Sequence, residues 1–181
     1  MKYISREDLP VEIKNNELSN YLDTKDDYTF LQCSNYSIKE NLKKICKKIL
    51  KKGYDYKRLQ IMAPMYMGIN GIDNLNKELQ NVLNPKSQFK KEKEFGNVIF
   101  REGDKVMQIR NNYDIYWEGV DGKSYGSGVY NGDLGIVTKV TTDFVEVIFD
   151  DDKIVKYTTE MLKNVDHAYA ITIHKSQGSE Y

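Results

Sequence analysis

The sequence predicts an α/β fold that carries a small, SH3-like β-barrel as an insertion. Three observations predict it. A strand–helix–strand pattern with short links occupies residues 27–64, as in a parallel α/β layer. From about residue 97 the hydrophobic period falls to two, as in half-buried strands. A nearly unalternating apolar stretch, AYAITI at 168–173, then returns, as expected for a strand buried on both faces of a parallel sheet.

Taken in order, residues 1–27 are polar and weakly periodic and read as an irregular arm or the remnant of a preceding region. DYTFLQCS (27–34) reads as a strand and SIKENLKKICKKILKKG (37–53) as a helix. Ser37 and Glu40 have the spacing of a capping box. Leu42, Ile45, Cys46, Ile49 and Leu50 recur at helical spacing, and Gly53 stops the helix. RLQIMAP (58–64) is a short apolar strand. After the glycine-punctuated MGINGID (67–73), Leu75, Leu79, Val82 and Leu83 form the stripe of a second helix, ended by Pro85. KSQFKKEKEFG (86–96) reads as a lysine-rich linker. NVIF, KVMQIR, GIVTKV, FVEVIFD and IVKYT are short strands, interrupted by aromatic residues and a long glycine-rich loop, GVDGKSYGSG (119–128). So many short strands in under about 70 residues predict a small barrel. Because an apolar strand follows it, the β module reads as an insertion in the α/β domain.

Composition narrows the function classes. Lys plus Arg and Asp plus Glu are 27 each among 181 residues, so nucleic-acid binding would need a local patch. The lysines of helix 37–53 read as a solvated face and Asp150–Asp152 as a hairpin tip. Cys33 and Cys46 lack metal-ligand spacing and read as free, buried thiols of a reducing cytoplasm. No apolar run reaches membrane-spanning length and no signal peptide opens the chain. The expectation is a soluble, cytoplasmic protein without a membrane partner.

HKSQGSE (174–180) sits where ligands gather, at the carboxyl end of a strand in an α/β sheet. Gly178 permits close backbone approach. Amides around Gln177, Gly178 and Ser179 suit a phosphate at a helix start. His174, Lys175 and Ser176 suit nucleic-acid phosphates, and Glu180 a ribose hydroxyl. A polar loop leaving a strand accounts for the same residue types equally well. Asn76 and Gln80 share one helix face, where amides hold backbone or, as we favour from sequence, simply meet solvent. Gln108 and Arg110 share a strand face, followed by Asn111, Asn112 and Asp114. VYNGDLG (129–135) carries Asn131-Gly132, a strong turn signal. Asparagines at such places suit phosphates or base edges, though turn chemistry alone explains Asn131-Gly132. His167 carries no signal.

Together these segments resemble the RecD-like branch of superfamily-one DNA helicases, the exodeoxyribonuclease V alpha-subunit type. LQIMAPMYMGINGIDNLNKELQNVLNP resembles the family's fourth motif. GDKVMQIRNNYD with VYNGDLG resembles the DNA-contacting block leading into its SH3-like insertion. AYAITIHKSQGSEY resembles its fifth motif. The resemblance covers about residues 28–181. It implies that 28–96 and 166–181 belong to an incomplete second RecA-like motor domain, and that 97–165 are the barrel insertion and its lead-in. It further implies DNA contacts by Gln108, Asn111, Asn131, Asp133, Thr172, His174, Lys175 and Ser176. Gln177, Gly178 and Glu180 would face the nucleotide.

No G-x-x-x-x-G-K-[ST] phosphate loop occurs in the chain, and no acidic strand suited to magnesium. The resemblance therefore implies a C-terminal fragment of an ATP-dependent 5′–3′ DNA helicase of repair and recombination. ATP and Mg2+ would serve the parent protein, and the fragment alone would neither hold them nor hydrolyse ATP. Implied partners are single-stranded DNA, the first motor domain of the same chain and, in part of the family, subunits of a nuclease complex. The rival expectations are an SH3-like protein-interaction module, with Tyr113, Tyr116, Trp117, Tyr125 and Tyr130 as an aromatic groove, and a passive single-strand-binding domain.

Overall fold

The computed structural model describes residues 33–173. The expected arm at 1–27 and the polar run 174–180 lie outside them, as does most of the expected strand at 27–34; Cys33 and Ser34 form no strand. Cys46 is buried, but Cys33 is exposed, which corrects the expectation of two buried thiols.

Helix α1, Ile38–Lys51, buries Cys46 completely and packs Leu42 and Leu50 beside it. Gly53, at φ 80°, ends it with its N–H on the Leu50 carbonyl, as a glycine just past a helix end does. The expected capping box does not form. Such a cap needs an extended N-cap residue, but Ser37 lies at φ −97°, ψ −11° and its hydroxyl donates to the Ser34 carbonyl. Glu40 pairs instead with Lys43 at 2.7 Å. Part of the lysine face is spent too, since Lys39 and Lys43 each lie 3.1 Å from Glu78 on the next helix.

A 3-10 turn at Tyr56–Arg58 leads into strand β1, Ile61–Ala63. Helix α2, Ile72–Leu83, follows and buries Ile72, Leu75, Leu79 and Leu83. Its start needs glycine for room, because a Cβ on Gly71 would stand 2.4 Å from the Met67 carbonyl carbon. Strand β11, Ala170–Thr172, lies parallel to β1, with Ile61 opposite Ala170. Both helices pack on this pair through Cys46, Ala63, Leu75, Leu79, Tyr169 and Ala170.

Between β1 and β11 the chain is mostly sheet. The expected linker at 86–96 instead contributes β2, Glu92–Phe95, which forms a hairpin with β3, Val98–Arg101. Then come β4 (Lys105–Gln108), β5 (Asn112–Gly119), β6 (Tyr125–Val129), β7 (Leu134–Val140), β8 (Phe144–Phe149) and β9 (Lys153–Thr158). A 3-10 segment, Thr159–Asn164, precedes β10, Val165–His167. Antiparallel pairing gives the order β10-β4-β7-β8-β9-β5-β6.

Two expectations change here. Residues 119–128 are no long loop: β5 and β6 form a hairpin whose turn is closed by Asp121, which accepts the N–H groups of Lys123 and Ser124. The barrel is not closed by hydrogen bonds among the described residues, for the sheet ends at β6 and β10. It curls nonetheless. Val129 on one edge strand and Val165 on the other enter the same core as Val106, Val145, Val147 and Val155. Side-chain packing draws the edges inward, so apolar burial is met without a closing ladder.

Candidate nucleic-acid interface

Four of the residues singled out from sequence meet at one exposed turn. Gln108 ends β4, and its backbone clamps the β6–β7 turn: its N–H donates to the Asp133 carbonyl and its carbonyl accepts from Gly132 N–H, both at 2.9 Å. Gly132 sits at φ 105°, a conformation that favours glycine. The Gln108 side chain is fully buried. Its amide donates to the Arg110 carbonyl at 2.7 Å, and its oxygen accepts from the Tyr157 hydroxyl at 2.8 Å. Burial, followed by the charge of Asp133, pushes that hydroxyl far above its ordinary range. Gln108 therefore positions the turn from beneath.

Asn111 and Asn131 form the upper layer. The Asn111 side-chain oxygen accepts the Asn131 N–H at 2.8 Å, and its amide donates to the Tyr113 hydroxyl at 3.2 Å. Asp133 accepts the Tyr130 N–H at 2.8 Å. The Tyr113 and Tyr130 rings meet edge to face with centroids 5.7 Å apart. Both rings are exposed, as are Arg110, Asn111 and Asn131. Among the described residues the Arg110 guanidinium has no carboxylate partner, and the Asn131 side-chain amide is unspent. A rigid turn thus offers one cation, one amide and two rings to solvent. Those groups suit a phosphate and the face of a base.

Thr172 is not in this turn. It lies half-buried in β11, opposite Ala63. Its neighbour Ile171 packs with Met107 and Leu134, the residues beside Gln108 and Asp133, so β11 backs onto the turn. His174, Lys175, Ser176, Gln177, Gly178 and Glu180 lie outside the described residues.

A second cluster escaped sequence reading. Asp104 is fully buried. Its carboxylate accepts from Gln80 at 2.7 Å, Asn84 at 2.7 Å, the Arg101 N–H at 2.7 Å, His167 Nε2 at 3.1 Å and the Tyr169 hydroxyl at 2.7 Å. Burial alone raises a carboxyl, but the bonds from His167, Tyr169 and Asn84 outweigh it and hold Asp104 below its ordinary range. A carboxylate here only accepts, so His167 carries its proton on Nε2. The favoured expectation that Asn76 and Gln80 meet solvent is corrected, since both are buried. Asn76 binds backbone on both sides, donating to the His167 and Ala170 carbonyls and accepting the Ala170 N–H. His167, silent in sequence, joins the same junction. The shared face of Asn76 and Gln80 was a usable signal; Asp104, in a Gly-Asp turn sequence, offered none.

The description "ATP-dependent RecD-like DNA helicase SH3 domain" fits the family model matched by residues 75–153. The ATP-dependent RecD2 DNA helicase of Deinococcus radiodurans is 34% identical over 128 residues, covering 68% of this chain and 15% of that protein. The RecBCD enzyme subunit RecD of Buchnera aphidicola is 28% identical over 145 residues, covering 79% of this chain and 21% of that protein. The chain thus spans about a fifth or less of these relatives. A Bacteroides Pif1 helicase solved with ADP-AlF3 and single-stranded DNA is 21% identical, with a TM-score of 0.44, over 90% of this chain and 39% of that one.

Proposed function

From a chain related to the RecD-like superfamily-one DNA helicases, we propose that it acts as part of an ATP-dependent 5′–3′ DNA helicase and grips single-stranded DNA at the Arg110–Asn111–Asn131 turn. One observation carries the proposal: on a turn held rigid by the buried Gln108 stand a cation and an amide that have no side-chain partner among the described residues. Preorganised groups of this kind lose little freedom on binding. Contact to backbone phosphates, with rings beside them for bases, makes the grip largely independent of sequence.

In this proposal β1, β11 and the two helices belong to the second motor domain, and the curled sheet is its inserted SH3 domain. ATP supplies the driving reaction of the parent enzyme. Gln177, Gly178 and Glu180 are the residues of this chain proposed to face it. All three lie outside the described residues. The first motor domain completes the nucleotide cleft, so the chain alone does not turn over ATP.

One titration tests both parts. A labelled oligothymidine is titrated with the chain at low and moderate salt, with ATP present and phosphate release monitored. Arg110→Ala is expected to weaken binding and to reduce the salt slope by about one. Asn131→Ala weakens binding with the slope unchanged, and no phosphate is released. Binding indifferent to both substitutions sinks the turn as a DNA contact. Turnover that persists in His174→Ala as in wild type would point to a contaminating enzyme, and turnover lost in that variant would overturn the claim of inactivity.

A further inference from the structure

The β5–β6 hairpin carries an aromatic face that the turn does not use. Tyr116 lies opposite Ser127, and Glu118 opposite Tyr125. Tyr116 and Tyr125 are therefore diagonal neighbours on one face, about 7–8 Å apart. They are 83% and 86% exposed. A tyrosine buries a large apolar ring when it can, so two such rings left open on adjacent strands are unusual for a face without a ligand. Beside them lies a cleft of about 560 Å3, lined by Tyr116, Trp117, Lys123, Tyr125, Lys156 and Met161 among others. A volume of that order accommodates a small planar group.

We infer that Tyr116 and Tyr125 form a base-stacking track for single-stranded nucleic acid, continuing from the Tyr113–Tyr130 pair at the Arg110–Asn131 turn along the β5–β6 hairpin. The inference rests on the single-strand reading of that turn. Three features select this occupant. The hairpin leads away from the turn, since β5 starts at Asn112 and β6 ends at Val129, next to Tyr130, with an irregular register between Asn112 and Tyr116. The diagonal spacing of the two residues along the strands is about twice the ~3.4 Å rise of bases in a duplex strand, which suits an extended, unstacked strand. The charge of the face is balanced, with Lys123 and Lys156 set against Asp114 and Glu118 around the cleft. A balanced face neither attracts nor repels a phosphate chain strongly, so holding there comes from stacking on neutral bases. The turn would supply the charge contact and the track the base contact.

The division of labour gives the test. The 181-residue chain is titrated at low and moderate salt with a labelled oligothymidine and, separately, with an abasic deoxyribose-phosphate strand of the same length. Tyr116→Ala and Tyr125→Ala are each expected to weaken oligothymidine binding roughly fivefold or more. Their salt slope should match wild type, and their affinity for the abasic strand should be unchanged. The Tyr→Phe variants should retain wild-type affinity, because the ring and not the hydroxyl stacks. Equal losses on both strands, or no loss on either, overturn the track. If Arg110→Ala weakens binding while the tyrosine variants do not, the track fails and the turn stands. If wild type binds neither strand at low salt, both fail. An extended proline-rich peptide that perturbs Trp117 fluorescence in a Tyr116- and Tyr125-dependent way, where oligothymidine does not, would assign the face to a protein and also overturn the inference.

Discussion

Asp104 collects five hydrogen bonds from α2, from the β3–β4 turn and from the segment spanning β10 to Tyr169. Removing one member of a buried charged network leaves the others unpaired, at a cost of about 3–5 kcal/mol. Asp104→Asn is therefore expected to lower unfolding stability by that order at neutral pH, read from urea midpoints. The pH dependence has a definite sign. The folded carboxyl lies below its ordinary value of 3.8, so its contribution is complete above that value and is lost as pH falls through it toward the depressed one. Wild type should lose stability below about pH 4 more steeply than Asp104→Asn; parallel profiles would remove Asp104 from the account. At this scale the sequence was half legible. The four-residue spacing of Asn76 and Gln80 placed both on one face, but spacing cannot say whether that face meets water or the carbonyls of His167 and Ala170. Gln108 lies beneath the turn that carries Asn111 and Asn131, while its burial depends on Tyr157, 49 residues away.

The helices and most strands were legible because their periodicity is local. The elements misread were those where glycine or lysine dominated composition. KSQFKKEKEFG forms half a hairpin because Glu92 meets Arg101 across it, at 2.6 Å, a partner that composition does not reveal. The glycines of 119–128 fit a hairpin for steric reasons. A Cβ on Gly126 would stand 2.6 Å from the Trp117 ring, so the ring lies against bare backbone. Gly126→Ala should displace Trp117, the only tryptophan in the chain, and shift its fluorescence emission. An unchanged spectrum would show that the ring has room to give. Because Trp117 lines the cleft beside Tyr116 and Tyr125, the same substitution also asks how far that face tolerates deformation.

Beside a small cluster of Met107, Ala168 and Ile171, the described residues form two main cores. One lies inside the curled sheet, and one lies between the helices and the β1–β11 pair. The polar junction at Asp104 joins them, helped by the Tyr56 hydroxyl on the Gly103 carbonyl at 2.7 Å. This division was legible in outline from the change of period near residue 97 and its reversal at 168. The open edge was not, since closure depends on whether β6 and β10 meet, and they are distant in sequence. The junction should make unfolding a single transition in wild type. In Asp104→Asn, far-ultraviolet dichroism and Trp117 fluorescence should separate, because Trp117 reports the sheet alone; coincident curves in the variant would assign the coupling to apolar contacts.

The parallel partners β1 and β11 are separated by more than a hundred residues. Bringing such distant segments together in a floppy chain costs loop-closure entropy and slows the encounter. The antiparallel sheet removes most of that handicap. Once β4 pairs with β10 and Ala168 N–H reaches the Lys105 carbonyl, the two ends of the antiparallel sheet segment lie side by side, and the remaining closure is short. The expected order of events is sheet first, parallel pair last. Val147→Ala, inside the sheet, should then slow refolding, whereas Leu79→Ala, against the parallel pair, should mainly speed unfolding. The reverse pattern in stopped-flow chevrons would place the nucleus in the helical half.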